Sequence, residues 1–146
     1  MDLVVQFIVA VFATIAFAVL FSVPKKELAF CGFTGALGWI IYSVFMKFDM
    51  GIVFSSFIAT LCLTIFARIF AVIRETPVTV YLLTGIFPIV PGSAIFYTAY
   101  YLFISDSAMS SQKAMETFEY AGAIVLGILF GFGIPQSLFN KLKPSK

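Results

Sequence analysis

Pro88-Ile89-Val90-Pro91-Gly92-Ser93 interrupts an otherwise continuous apolar run over residues 76–104. Proline has no N–H to donate, and its ring clashes with the preceding helical turn, so two prolines this close cannot continue a regular helix. Gly92 adds backbone freedom at the same point. The run has 29 residues. That is about 43 Å as one straight helix, too long for one upright crossing of a bilayer and too short for two. Its flanks, 78–87 and 93–104, are each too short to cross alone, and together they cross once. A break at bilayer depth bares backbone N–H and C=O groups that lipid cannot satisfy. It persists only where protein or a water-filled cavity surrounds it. The stretch therefore reads as a discontinuous membrane span and as the first candidate for a binding site.

The rest of the chain agrees. Of 146 residues, 62% are hydrophobic and only 11% charged, against about 25% charged in soluble domains. Charged or proline-containing groups punctuate the apolar runs into spans of about 3–23, 28–46, 50–67, 76–104 (broken) and 120–139. The expected fold is all-α, a polytopic membrane protein. A single transmembrane domain over 1–146 holds five transmembrane helices, the fourth discontinuous at 88–93. Ala16-Phe17-Ala18 has the small-x-small look of a leader cleavage site. The preceding residues bring Asp2 and no Lys or Arg, so the basic region of a leader is missing and the first run is read as a retained span.

With five spans, Lys25, Lys26, Arg68, Arg74, Lys141, Lys143 and Lys146 fall on one side, and Lys47 and Lys113 on the other. The positive-inside rule then places the N-terminus outside and the C-terminus in the cytoplasm of a multi-pass cell-membrane protein. The net charge of +2 is too small to suggest nucleic acid, and basic residues at span ends serve as topology signals and contacts to anionic lipid. The chain has no His, and its two cysteines, Cys31 and Cys62, are not clustered. Neither a disulfide, a metal site nor a cofactor is expected, and both thiols read as buried and inert.

The acidic residues Asp2, Glu27, Asp49, Glu75, Asp106, Glu116 and Glu119 all fall at or beyond span ends. The carboxylates and histidines of a proton relay are absent from the bilayer interior, as are the acid, nucleophile–base and metal constellations an enzyme needs. No catalytic residue is assigned. Small residues at Gly32, Gly35 and Gly38, and at Gly127-x-x-x-Gly131, let helix backbones approach closely. That spacing serves packing within the chain or against a second subunit equally well. Arg68 reads either as a snorkelling anchor or as a cationic partner for an anionic substrate. The polar stretch 105–119 reads as an outside loop holding a short helix, capped by Ser105 or Asp106, with Lys113 and Glu116 three apart on its surface.

The second half of the broken span begins with Pro91 and Gly92, with Ser93 close behind, a sensible helix start. Its free N–H groups and positive dipole end would attract a carboxylate, as the discontinuous helices of transporters do. Ser93, Tyr97 and Tyr100 share a helical face and add hydroxyl donors. The candidate substrate-binding residues are thus Pro88, Pro91, Gly92, Ser93 and Tyr97, with Arg68. The plainer alternative is a proline kink that only shapes the bundle.

Ala67-Arg68, Thr76-Pro77-Val78-Thr79-Val80 and Pro88-Ile89-Val90-Pro91-Gly92-Ser93-Ala94-Ile95-Phe96-Tyr97 together resemble the signature of the threonine/serine exporter superfamily. The likeness is strongest to its small, YjjB-like members, which correspond to the C-terminal half of the fused ones. The segment Val23-Pro24-Lys25-Lys26-Glu27-Leu28-Ala29-Phe30-Cys31-Gly32 is similar to that family's first loop and second span. The resemblance implies export of small carboxylates, threonine and serine by the fused members and dicarboxylates such as succinate by the two-component versions. It also implies a hetero-oligomer with a larger, YjjP-like partner that supplies five further spans. Coupling groups are then expected on the partner, or export runs down the substrate gradient. The competing class is a non-transporting membrane scaffold or assembly subunit.

Overall fold

Turn chemistry sets the ends of the helices. The computed structural model describes residues 3–140; Asp2 and the tail lysines Lys141, Lys143 and Lys146 lie outside the described residues. Helix α1 (Leu3–Leu20) ends at Ser22, which takes a left-handed φ of 57°. A 3₁₀ turn at Lys25–Glu27 leads into α2 (Leu28–Lys47), and Gly51, at φ 77°, opens α3 (Ile52–Arg74). Glu75 closes α3 in the left-handed region, and the Thr76 N–H donates back to the Ala71 carbonyl at 3.0 Å. Pro77 then presets the entry to α4 (Val78–Ile86), which a 3₁₀ turn at Phe87–Ile89 separates from α5 (Gly92–Phe103). Helix α6 (Ser107–Gly133) begins where the Asp106 carboxylate accepts the Met109 N–H at 3.1 Å, a standard N-cap. A short α7 (Gln136–Asn140) follows.

Among the described residues the secondary structure is entirely helical. Helices α1, α2, α3 and α6 are long and apolar enough to cross a membrane, and α4 with α5, bent by 53° at the break, makes the fifth crossing when taken as one span. The chain is an all-α polytopic membrane protein. Helices α2 and α3 form its centre: α1 packs on α2, α6 on α3, and α4 enters between α2 and α3 while touching α1. Helix α5 leaves this cluster and packs against α6.

Lipid removes the hydrophobic drive between helices, so close van der Waals approach carries the association. The glycines mark where it happens. A Cβ on Gly35 would collide with the Thr14 hydroxyl of α1, and one on Gly32 would reach Ile15 at 2.8 Å. Gly38 faces Leu63 and Ile89. A Cβ on Gly127 would collide with the Thr60 hydroxyl and reach the Phe57 carbonyl at 2.6 Å, and one on Gly131 would reach Thr64 at 2.6 Å, so the α3–α6 seam closes glycine onto threonine. Those threonines spend their hydroxyls on their own helix, Thr60 donating to the Ser56 carbonyl at 2.8 Å and Thr64 to the Thr60 carbonyl at 2.7 Å.

Three boundaries differ from the sequence expectation: α3 continues past 67 to Arg74, α6 ends at Gly133 short of 139, and α6 begins well before 120. The polar stretch 105–119 is not a loop with its own short helix; from Ser107 it is the first part of α6, a single 27-residue helix about 40 Å long. The reason is local. Asp106 provides the cap, and from Ser107 to Tyr120 there is no Gly or Pro to end the helix while Ala, Met, Gln, Lys and Glu favour it.

A charged cluster ties three elements together at one end of the bundle. Glu27 is only 1% exposed. It accepts from Arg74 Nε at 3.1 Å, from Arg74 Nη2 at 3.0 Å and from the Tyr81 hydroxyl at 2.6 Å. The Arg74 guanidinium also lies 4.6 Å over the Phe30 ring. A buried carboxylate survives when its lone pairs are answered in this way. Here the answer comes from the C-terminal end of α3 and from α4, so the cluster holds the first half of the broken span to the bundle.

Candidate functional site

The break is a sequence of tight turns. The Val90 N–H donates to the Phe87 carbonyl at 3.3 Å, closing the 3₁₀ turn that contains Pro88. Pro91 then takes φ −75° and ψ 57°, and the Gly92 N–H donates to the Val90 carbonyl at 2.7 Å. This is an inverse γ-turn, whose central residue sits near those angles. Proline suits it, since φ is already set. The segment is pinned on its buried side: Phe87 stacks on Phe17 at 4.4 Å and leans on Phe21 at 5.3 Å, while Ile89 is buried against Gly38. Helix α5 starts at Gly92 with Pro91 as its N-cap and no side-chain cap. The N–H groups of Ser93 and Ala94, in that first turn, have no helical carbonyl behind them.

In front of the break lies a cavity of about 530 Å³, within the size range of small-molecule sites. Five of the six residues expected to bind substrate line it together: Pro88, Pro91, Gly92, Ser93 and Tyr97. Tyr100 is not among its walls; it is half-exposed on α5, with its ring parallel to Phe96. Trp39 and Tyr42 of α2 and Ser56 of α3 form further walls. Helix α6 contributes Lys113, Glu116 and Tyr120 to the lining. Lys113 Nζ and Glu116 Oε2 are paired at 2.7 Å. The sequence reading placed these two charges on a loop surface. The signal for their true position was the unbroken helical pattern from Ser107 onward, which carries the pair along the same helix that continues as the fifth span.

Arg68, the sixth expected residue, lies elsewhere. It is 5% exposed and donates to the carbonyls of Gly131 at 2.7 Å and Ile134 at 2.7 Å, and to Gln136 Oε1 at 2.6 Å. Its guanidinium sits 4.2 Å from the Phe139 ring centre. Carbonyls at a helix C-terminus carry partial negative charge, so Arg68 is compensated there without a carboxylate. It borders a separate cavity of about 280 Å³. Cys31 is buried with its thiol 3.7 Å from the Val80 carbonyl, Cys62 is half-buried, and both are free. Among the described residues no group of three His, Cys, Asp or Glu side chains is arranged to hold a metal.

The family described as threonine/serine exporter, ThrE, matches this chain over residues 6–132. That interval covers the break and every wall of the cavity in front of it. The chain belongs to the threonine/serine exporter family. That family is described as one of exporters, and the apolar helices make this member a membrane protein. A Haemophilus influenzae protein named only as uncharacterized is 27% identical over 150 residues, a match that takes in 99% of this chain and 50% of the relative. The chain therefore spans about half the length of this curated relative. No solved structure matches it.

Proposed function

We propose that this chain is one half of an exporter for small carboxylates, taking threonine/serine-type amino acids or dicarboxylates such as succinate. The substrate binds against the break at 88–93, and the chain works with a five-span, YjjP-like membrane partner. The observation that carries this reading is the cavity. A stretch of backbone that lipid cannot satisfy forms one wall, with uncapped helical N–H groups that favour a carboxylate, and α6 adds a charged pair to the lining. Partnership is supported by the relative twice as long as this chain and by the outer face of α5, where Ile95, Phe96, Leu102 and Phe103 are exposed. Five spans with the basic residues biased to one side put the N-terminus outside and the C-terminus in the cytoplasm. A preceding five-span half that starts inside would then run antiparallel to this one, the inverted arrangement that sets a site between two halves.

The test is efflux of preloaded labelled threonine, serine and succinate from cells expressing the chain with and without its partner. Pro91→Ala combined with Gly92→Leu is expected to lower efflux at least tenfold at normal membrane levels. Efflux at the wild-type rate in that double variant would leave the break as a packing kink. Reporter fusions that place the C-terminus outside would remove the inverted arrangement.

A further inference from the structure

Arg68 brings a full charge into the protein, and the groups that answer it are neutral. It is 5% exposed. Its Nη1 donates to the Gly131 and Ile134 carbonyls and, at 3.5 Å, towards that of Phe132, while its Nη2 donates to Gln136 Oε1. Carbonyls at a helix C-terminus amount to only about half a unit of negative charge. The guanidinium therefore keeps net positive charge where burial makes an unanswered charge costly. It keeps donors as well. A guanidinium carries five N–H groups in a fixed fork, and among the described residues no hydrogen bond runs from Nε. Arg68 also lines the cavity of about 280 Å³, whose other walls include Thr76, Val78, Phe132 and Gln136. Phe132 and Gln136 are exposed, which leaves the cavity open to the surface.

We infer that the Arg68 cavity is a binding site for a phosphate group, filled by the headgroup of an anionic phospholipid. Its level in the membrane fits. Arg68 lies six residues before the end of α3 at Arg74, about 9 Å along the helix axis, and α6 stops beside it at Gly133. The headgroup layer of a bilayer lies at the ends of the spans. Lys141, Lys143 and Lys146 follow α7 in the sequence, and basic residues next to a span draw anionic lipid. The chemistry fits too. Phosphate oxygens accept from a guanidinium in a paired, charge-assisted geometry. Gln136, whose oxygen is already taken by Arg68, keeps its amide N–H groups to donate. A seated phosphate supplies the counter-charge that the carbonyls do not, and it ties the end of α3 to the α6–α7 turn. Inorganic phosphate offers the same oxygens, so the test separates the two sources. The site shares no lining residue with the cavity at the break, and the inference does not depend on what the exporter carries.

Native mass spectrometry of the purified full chain, from micelles holding equal phosphatidylglycerol and phosphatidylcholine, provides the test. Both lipids carry a phosphate, but choline neutralises the second. One retained phosphatidylglycerol per chain is expected, at least fivefold over phosphatidylcholine. Gln136→Glu puts a carboxylate on the Arg68 guanidinium in place of the amide, and retention should fall at least fivefold. An unfolding midpoint no lower than wild type in phosphatidylcholine nanodiscs shows that this variant is folded. Lys25→Gln with Lys26→Gln should change retention less than twofold. Thermal unfolding in nanodiscs separates the sources. Phosphatidylglycerol should raise the wild-type midpoint, inorganic phosphate in phosphatidylcholine nanodiscs should not, and Gln136→Glu should abolish the rise. A rise with inorganic phosphate equal to that with phosphatidylglycerol would keep the site and give it to the free ion, overturning the lipid as its occupant. Equal retention of the two lipids would overturn the inference. So would unchanged retention in Gln136→Glu, or an equal loss in the Lys25 and Lys26 double variant, which would assign the lipid to diffuse surface charge.

Discussion

The two halves of the broken span are nearly equal in length and similar in composition, yet the bundle treats them differently. On α4, Tyr81, Leu82, Thr84 and Gly85 are buried among α1, α2 and α3. On α5 only Ala94 is buried, Phe103 is 87% exposed, and the helix rests on α6, tied to it where the Ser110 hydroxyl donates to the Thr98 carbonyl at 3.0 Å. The first half is also held by charge, through Tyr81 and the buried Glu27–Arg74 pair, whereas the Lys113–Glu116 pair is closed within α6 itself and makes no ion pair to the second half. A discontinuous helix thus has one half built into the bundle and one half at its margin. Elements with few buried contacts are those that open at low free-energy cost; under the proposed function α5 is therefore the half expected to move.

Equivalent changes on the two halves should therefore have unequal effects. The widest gap is expected between two glycines. Gly85→Leu drives a side chain into Leu63 Cδ1, 2.8 Å from the added Cβ, beside the Gly35 backbone at 3.5 Å, and should cost about 3 kcal/mol. Gly92→Leu meets nothing within 4 Å and should stay within about 0.5 kcal/mol of wild type. Thermal unfolding of both variants in lipid nanodiscs, followed by circular dichroism, measures the gap, and equal losses would erase the distinction between the halves.

The two carboxylates come next. Glu27→Gln removes the counter-charge of Arg74 from a buried site and should lower the membrane level of the protein severalfold, while Glu116→Gln should leave it unchanged; quantitative immunoblots of membranes report both. The aromatic rings give a smaller contrast. Phe87→Ala loses stacking on Phe17 and Phe21 and should cost about 2 kcal/mol, whereas Phe103→Ala should be silent in the same denaturation experiment. The smallest expected effect is that of Tyr81→Phe. It removes one hydrogen bond to a carboxylate that keeps Arg74, about 1.5 kcal/mol, and hydrogen exchange should show it first in the amides of α4. Faster exchange in α5 instead would show that the cluster does not hold α4.

Much of the architecture was legible in the chain. Hydropathy alone gives the apolar runs, because a helix in lipid must keep its outside apolar along its whole length. Pro88, Pro91 and Gly92 announce the break through purely local chemistry, and Asp106 announces a helix start in the same way. Helix α6 was the instructive failure. Its first half is polar, and polarity pointed to a loop, but continuity of a helix depends on caps and on the absence of breakers rather than on hydropathy. Arg68 was visible as an intramembrane cation, while its partners, the carbonyls of Gly131 and Ile134, are 63 and 66 residues away and leave no trace in the local sequence. Glu27 likewise read as an interfacial charge, since nothing near it shows that Arg74 and Tyr81 close over it.

The amino-acid sequence by itself determined that this is an all-helical membrane protein with one discontinuous span, and it named the residues that break that span. Those are consequences of side-chain hydropathy and backbone chemistry, which act within one helical turn or one bilayer thickness. Only the tertiary structure decided what shares the cavity with the break. The 53° bend sends α5 onto α6, and that packing brings Lys113 and Glu116 to the same cavity as Pro91 and Ser93. The juxtaposition depends on the angle between two half-helices and on which neighbour each finds, and neither is written in the residues of the break.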